Sequence, residues 1–123
     1  SDGSFQYTPA NAPGYVDEIE YLNQRVLQSV RQIISRSDTP PVILIEGDHG
    51  LNPEVQNANL MAFYLPDDGD QALYPTITSV NSFRIVFNKY FDADYPLLED
   101  IAYSSAYQTP FDFEIVDYPC AVE

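Results

Sequence analysis

The sequence predicts an α/β fold: a partial three-layer sandwich with mostly parallel inner strands, helices on its faces and a C-terminal edge strand. Three observations carry this. A helical apolar pattern runs into Val42 to Ile45, a short β-branched stretch that is apolar on both faces. A second apolar run, Asn59 to Leu65, is followed after a loop by another helical pattern over 79–91. Near the end, "FDFEIVDY" sets Phe111, Phe113 and Ile115 against Asp112, Glu114 and Asp117, the period of a half-exposed strand.

In chain order, residues 1–14 hold Pro9, Pro13 and Gly14 among small polar residues and read as irregular. From Val16, apolar residues recur at steps of three and four through Ile19, Leu22, Val26, Val30 and Ile33, the stripe of an amphipathic helix of about five turns. Asp17, Glu18 and Glu20 at its start and Arg31 and Arg36 at its end suit the helix dipole, and Pro40 and Pro41 stop it. A helix leading directly into a buried strand is half of a βαβ unit, which is why the inner strands are expected to be parallel. Residues 51–57 read as a polar loop, and Pro66 ends the second strand. "PDDGDQALYP" is a loop, and Thr78 is the expected N-cap of a helix whose apolar face is Val80, Phe83, Val86, Phe87, Tyr90 and Phe91. "DADYPLLED" is a further loop. Residues 15–117 form the domain, and 118–123 a tail.

The chain has 123 residues, enough for one domain or part of one, and is 45% hydrophobic, which argues against intrinsic disorder. Its net charge of −14, from 19 acids against 5 bases, excludes nucleic-acid binding through a basic patch and argues against an anionic membrane surface as partner. The single cysteine, Cys120, cannot form an internal disulfide. No run approaches the ~18 apolar residues of a membrane span. The opening Ser1-Asp2-Gly3-Ser4 has neither an initiating Met nor a signal-peptide pattern, and the expectation is a piece of a longer protein.

Chemistry concentrates in "VILIEGDHGLNP", residues 42–53. In open α/β sheets ligands bind beyond the carboxyl ends of strands, and there stand Asp48 and His49, the only histidine, between Gly47 and Gly50. The glycines would let the backbone turn sharply and approach a ligand, and carboxylate plus imidazole suits zinc or manganese at one centre or two neighbouring ones. The competing reading is a strand-end turn in which Asp48 caps the next segment and His49 faces solvent. A catalytic zinc takes three protein ligands, which one histidine and a distant cysteine do not complete, and Glu46 would face away on its strand. No Ser or Thr sits in a glycine-rich elbow. Asp67, Asp68 and Asp70 lack EF-hand spacing and read as an exposed acidic turn. Arg84 reads as an ion-pair partner for one of the many acids, and Tyr21, Tyr64, Tyr74, Tyr90 and Tyr103 as edges of the core.

Three blocks taken together resemble a known family: "DEIEYLNQRVLQSVRQIISRSDTPPVILIEGDHG", "NANLMAFYLPDDGDQALYPTITSVNSFRIVFNKYF" and "YPLLEDIAYSS". Over about residues 15–117 the chain resembles the C-terminal part of a sulfatase-like catalytic domain of the alkaline phosphatase superfamily, in the branch that includes lipoteichoic acid synthase-like membrane proteins. The resemblance implies that Asp48 and His49 are ligands of a divalent metal (manganese, zinc or calcium). It implies that the nucleophile and the remaining ligands lie in an upstream half of the same domain, and that no other residue here matches a catalytic position. Ser79 stands where the family often has Pro, which a helix start tolerates. The implied chemistry is hydrolysis or transfer of an anionic phosphate or sulfate ester, with this chain inactive alone. Many relatives are membrane-anchored with the catalytic domain outside the cytoplasm; the sequence does not say whether this parent is. The alternative is a non-catalytic acidic α/β interaction module or a pseudoenzyme remnant. Faces that an upstream half would cover are expected to drive self-association, as in a homodimer.

Overall fold

A computed structural model describes residues 12–50 and 59–116. Its elements are helix α1 (Ala12–Arg36), strands β1 (Ile43–Glu46) and β2 (Met61–Tyr64), a 3₁₀ turn (Gly69–Ala72), helix α2 (Ser79–Tyr90) and strands β3 (Ala102–Ala106) and β4 (Thr109–Val116). The fold is mixed α/β, but the strands are not parallel. They form two separate two-stranded antiparallel sheets, β1–β2 and β3–β4. Ile43 pairs with Tyr64 and Glu46 with Met61. An apolar stretch on both faces reports coverage, not direction, and an antiparallel neighbour satisfies the same backbone groups as a parallel one. β1 is also only half-buried along its length, so the fully covered inner strand of a sandwich is not what it forms here.

α1 begins at Ala12, inside the stretch expected to be irregular. Pro13 falls in its first turn, where no backbone donor is needed, so a residue read as a breaker is compatible with a helix start. The earlier start moves Asp17, Glu18 and Glu20 out of the first turn, and only Arg36 lies in the last. The dipole argument therefore holds at the C-terminus alone. The apolar stripe of α1 is exposed except at half-buried Val30: Leu22 and Leu27 keep 50% and 53% of their surface.

α2 spans the predicted helix, ending at Tyr90, but it buries a different face. Asn81 and Ser82 are completely buried, beside Ile77, Ile85 and Val86, which form the small core. Phe83, Phe87 and Phe91 point outward as a row of ring contacts, with Tyr95 against Phe87 at 6.2 Å. Periodicity says which residues share a face. It does not say which face is covered when polar groups on another face have partners. Here they do: Asn81 and Asn88 each make a two-way amide pair with the backbone, at Leu98 and Tyr95, with all four bonds at 2.8–2.9 Å. Arg84 Nη1 donates to the Pro96 carbonyl at 3.0 Å and lies 5.9 Å over the Tyr95 ring. One helix face thus holds an extended segment by imitating a strand's hydrogen bonds. Arg84 serves that segment and makes no ion pair among the described residues, contrary to the expectation for it.

The "PDDGD" turn is tight. Asp67 and Asp68 both have positive φ, 55° and 59°, and lead into the 3₁₀ turn at buried Gly69. A methyl at Gly69 would overlap the Tyr90 hydroxyl and come within 2.9 Å of Leu65 Cβ. That hydroxyl donates to the Pro66 carbonyl at 2.6 Å, so Gly69 keeps open the path by which α2 is tied to the end of β2. The turn carries no metal-ligand cluster among the described residues.

β4 stands where a strand was predicted, but it is exposed on both faces where one was expected to be covered, and β3, its partner in a separate sheet, was not predicted. "AYSSA" mixes small and polar residues without clear alternation, so period-two reasoning passes over it. Tyr103 pairs with Ile115, and its ring meets that of Phe113 at 6.3 Å, on a face that stays open to solvent. The loop expected over 51–57, the tail and Cys120 lie outside the described residues. Among the described residues no helix is long and apolar enough to cross a membrane.

Candidate metal half-site at the end of β1

β1 ends at Glu46, and the next residues leave strand geometry. Gly47 continues one bond further, its N–H donating to the Leu60 carbonyl at 2.8 Å. Asn59 then crosses the gap: its side-chain amide donates to the Gly47 carbonyl at 2.8 Å and to Ser79 Oγ at 3.3 Å. One side chain thereby joins the end of β1, the start of β2 and the first residue of α2. Gly47 does not use the left-handed backbone that a glycine permits, and a Cβ there would meet Leu60 N at 3.4 Å, an ordinary contact. The sharp glycine turn expected there is therefore not the device that breaks the strand. The Asn59 bridge holds the break instead.

Beyond the bridge, Asp48 and His49 stand side by side and exposed, their side chains retaining 92% and 63% of their surface. The imidazole Nδ1 lies 2.7 Å from the Gly50 carbonyl oxygen. A carbonyl can only accept, so this contact needs a proton on Nδ1, and in the neutral ring of that form Nε2 presents a lone pair. That Nε2 is 3.8 Å from Asp48 Oδ2. Metal-binding histidines are set up in this way, with the far nitrogen donating to a backbone carbonyl. A separation of 3.8 Å is below the about 4 Å that two metal–ligand bonds of about 2 Å can span, and wider than the roughly 3.3 Å of a tetrahedral pair. The alternative role for Asp48, capping the next segment, falls on residues outside the described ones, and His49 faces solvent as that alternative expects.

Among the described residues no cluster of three His, Cys, Asp or Glu side chains could hold a metal. Glu46 precedes the pair, and its Oε1 is buried without a hydrogen-bond partner among the described residues.

A second polar constellation was not anticipated. Asp100 accepts from the Tyr74 hydroxyl at 2.6 Å through one oxygen. Through the other it accepts from the Thr78 N–H at 2.8 Å, the Thr78 hydroxyl at 2.6 Å and Asn81 Nδ2 at 3.0 Å. Thr78 occupies the N-cap position, but its hydroxyl serves Asp100 and makes no cap bond to the helix. Burial pushes the Asp100 carboxyl up, but the bonds from Thr78, Tyr74 and Asn81 outweigh it and hold the group below its ordinary value of 3.8. Tyr74 moves the opposite way, raised by burial and by its bond to Asp100. Tyr90 is raised by burial and by the charges of Asp67 and Asp70. A carboxylate that accepts four bonds from the protein is a brace for α2. One signal in the sequence could have pointed to it: the N3 position after Thr78 is Asn81, not the Glu or Gln of a capping box.

Comparison with family models, with curated proteins and with solved structures finds no match to this chain.

Proposed function

We propose that the chain contributes Asp48 and His49 to the divalent-metal centre of a phosphate- or sulfate-ester hydrolase or transferase, whose nucleophile and further ligands come from outside residues 1–123. The observation that carries the reading is the placement of the His49 ring: Nδ1 lies 2.7 Å from the Gly50 carbonyl oxygen, and Nε2 lies 3.8 Å from Asp48 Oδ2. The ion, when bound, would polarise the ester oxygen and lower the pKa of the nucleophile. The chain's own residues have separate tasks. Asp48 supplies negative charge, and His49 supplies a nitrogen donor whose ring is oriented by its own neighbour. Asn59 keeps the loop seated against the start of α2, whose N-terminal end favours an anion. Imidazole as donor favours manganese or zinc over calcium.

Because His49 is the only histidine, its ring signals are unambiguous in an NMR spectrum. The expected result is an Nδ1–H tautomer at neutral pH, with zinc shifting the Nε2 resonance and manganese broadening it, both effects lost in Asp48→Ala. An Nε2–H tautomer, or a ring unmoved by either ion, would overturn the reading. A complementary test adds the upstream part of the domain and measures ester hydrolysis with manganese or zinc. Activity that survives His49→Ala and Asp48→Ala refutes it.

One observation favours a second reading, a non-catalytic interaction module: the apolar residues of α1, the outer row of α2 and the face of β3–β4 are exposed together. On that reading the melting temperature would not respond to divalent metal, since a ligand of the folded state alone must raise it.

A further inference from the structure

We draw no further inference here: the strongest candidate, the apolar stripe of α1 from Val16 to Ile33, is a mostly exposed surface patch, and nothing in the structure shows what covers it.

Discussion

Asp100 and Asp48 are both acids beside a helix start or a strand end, and they are used in opposite ways. Asp100 accepts four hydrogen bonds from Tyr74, Thr78 and Asn81 and is half-buried. Asp48 is almost fully exposed, and its nearest polar neighbour is His49 Nε2 at 3.8 Å. The comparison separates two kinds of polar residue. One has its capacity consumed by the fold and stabilises it; the other keeps its capacity open and contributes little to stability. If this division is right, substitutions at the two acids should give opposite patterns: a large stability loss with no effect on ligand in one case, and the reverse in the other.

The largest effect is expected at Asp100. Asp100→Ala leaves the donors of Tyr74 and Thr78 without an acceptor and takes one of its acceptors from fully buried Asn81, and should cost about 3 kcal/mol. Chemical denaturation reads it directly. The pH dependence gives an independent check. A carboxyl held below its ordinary value in the folded chain adds stability that is fully present above the unfolded value, near 3.8, and is lost as pH falls through the folded value. Wild type should therefore lose stability on acidification more steeply than Asp100→Asn, which has no charge to lose. Equal slopes would show that Asp100 does not carry that share of the acid sensitivity. Tyr74, raised in the fold, works at the other end: its contribution is present below its ordinary value of 10.0 and is lost as pH rises through the folded value.

Gly69 should come next. Gly69→Ala places a methyl against the Tyr90 hydroxyl and Leu65, at a cost of about 2 kcal/mol for overpacking. Removing the hydroxyl sharpens the test. In a Tyr90→Phe background the same substitution should cost less, because the nearest obstacle is gone while Leu65 remains. Additive effects would mean that the clash is relieved elsewhere, and that the contact between α2 and the "PDDGD" turn is looser than its geometry indicates.

These two sites also show what could be read from the chain beforehand. Helix and strand positions were legible because apolar spacing is local: α2 was expected at 79–91 and stands at Ser79–Tyr90, and β4 was seen through its alternation. Strand direction was not, because Val42 to Ile45 looks the same beside a parallel or an antiparallel neighbour. The covered face of α2 was misread because Asn81 and Asn88 counted as polar, whereas their amides pair with the backbone of 95–98 and so can be buried. The Asp100 brace depends on contacts across about twenty residues, to which no local pattern is sensitive. Asp48 and His49 were legible for the opposite reason. They are singled out as two adjacent residues, and the structure adds what adjacency cannot, the 2.7 Å contact between His49 Nδ1 and the Gly50 carbonyl oxygen.

The smallest stability effects are expected at the half-site itself, and there the division between the two acids is tested most severely. Asp48→Ala and His49→Ala remove exposed side chains whose only described partners are each other and the Gly50 carbonyl, so each should change stability by no more than about 0.5 kcal/mol. In the same samples, the melting-temperature rise produced by zinc or manganese in the wild type should disappear. Asn59→Ala gives the intermediate case. It leaves both ligands in place but removes the bridge from Gly47 to Ser79, so the metal response should weaken without vanishing. A large stability loss at Asp48 or His49 without metal would place them with Asp100 among the braces of the fold. A full metal response in Asn59→Ala would show that the loop presents its ligands without being held against α2.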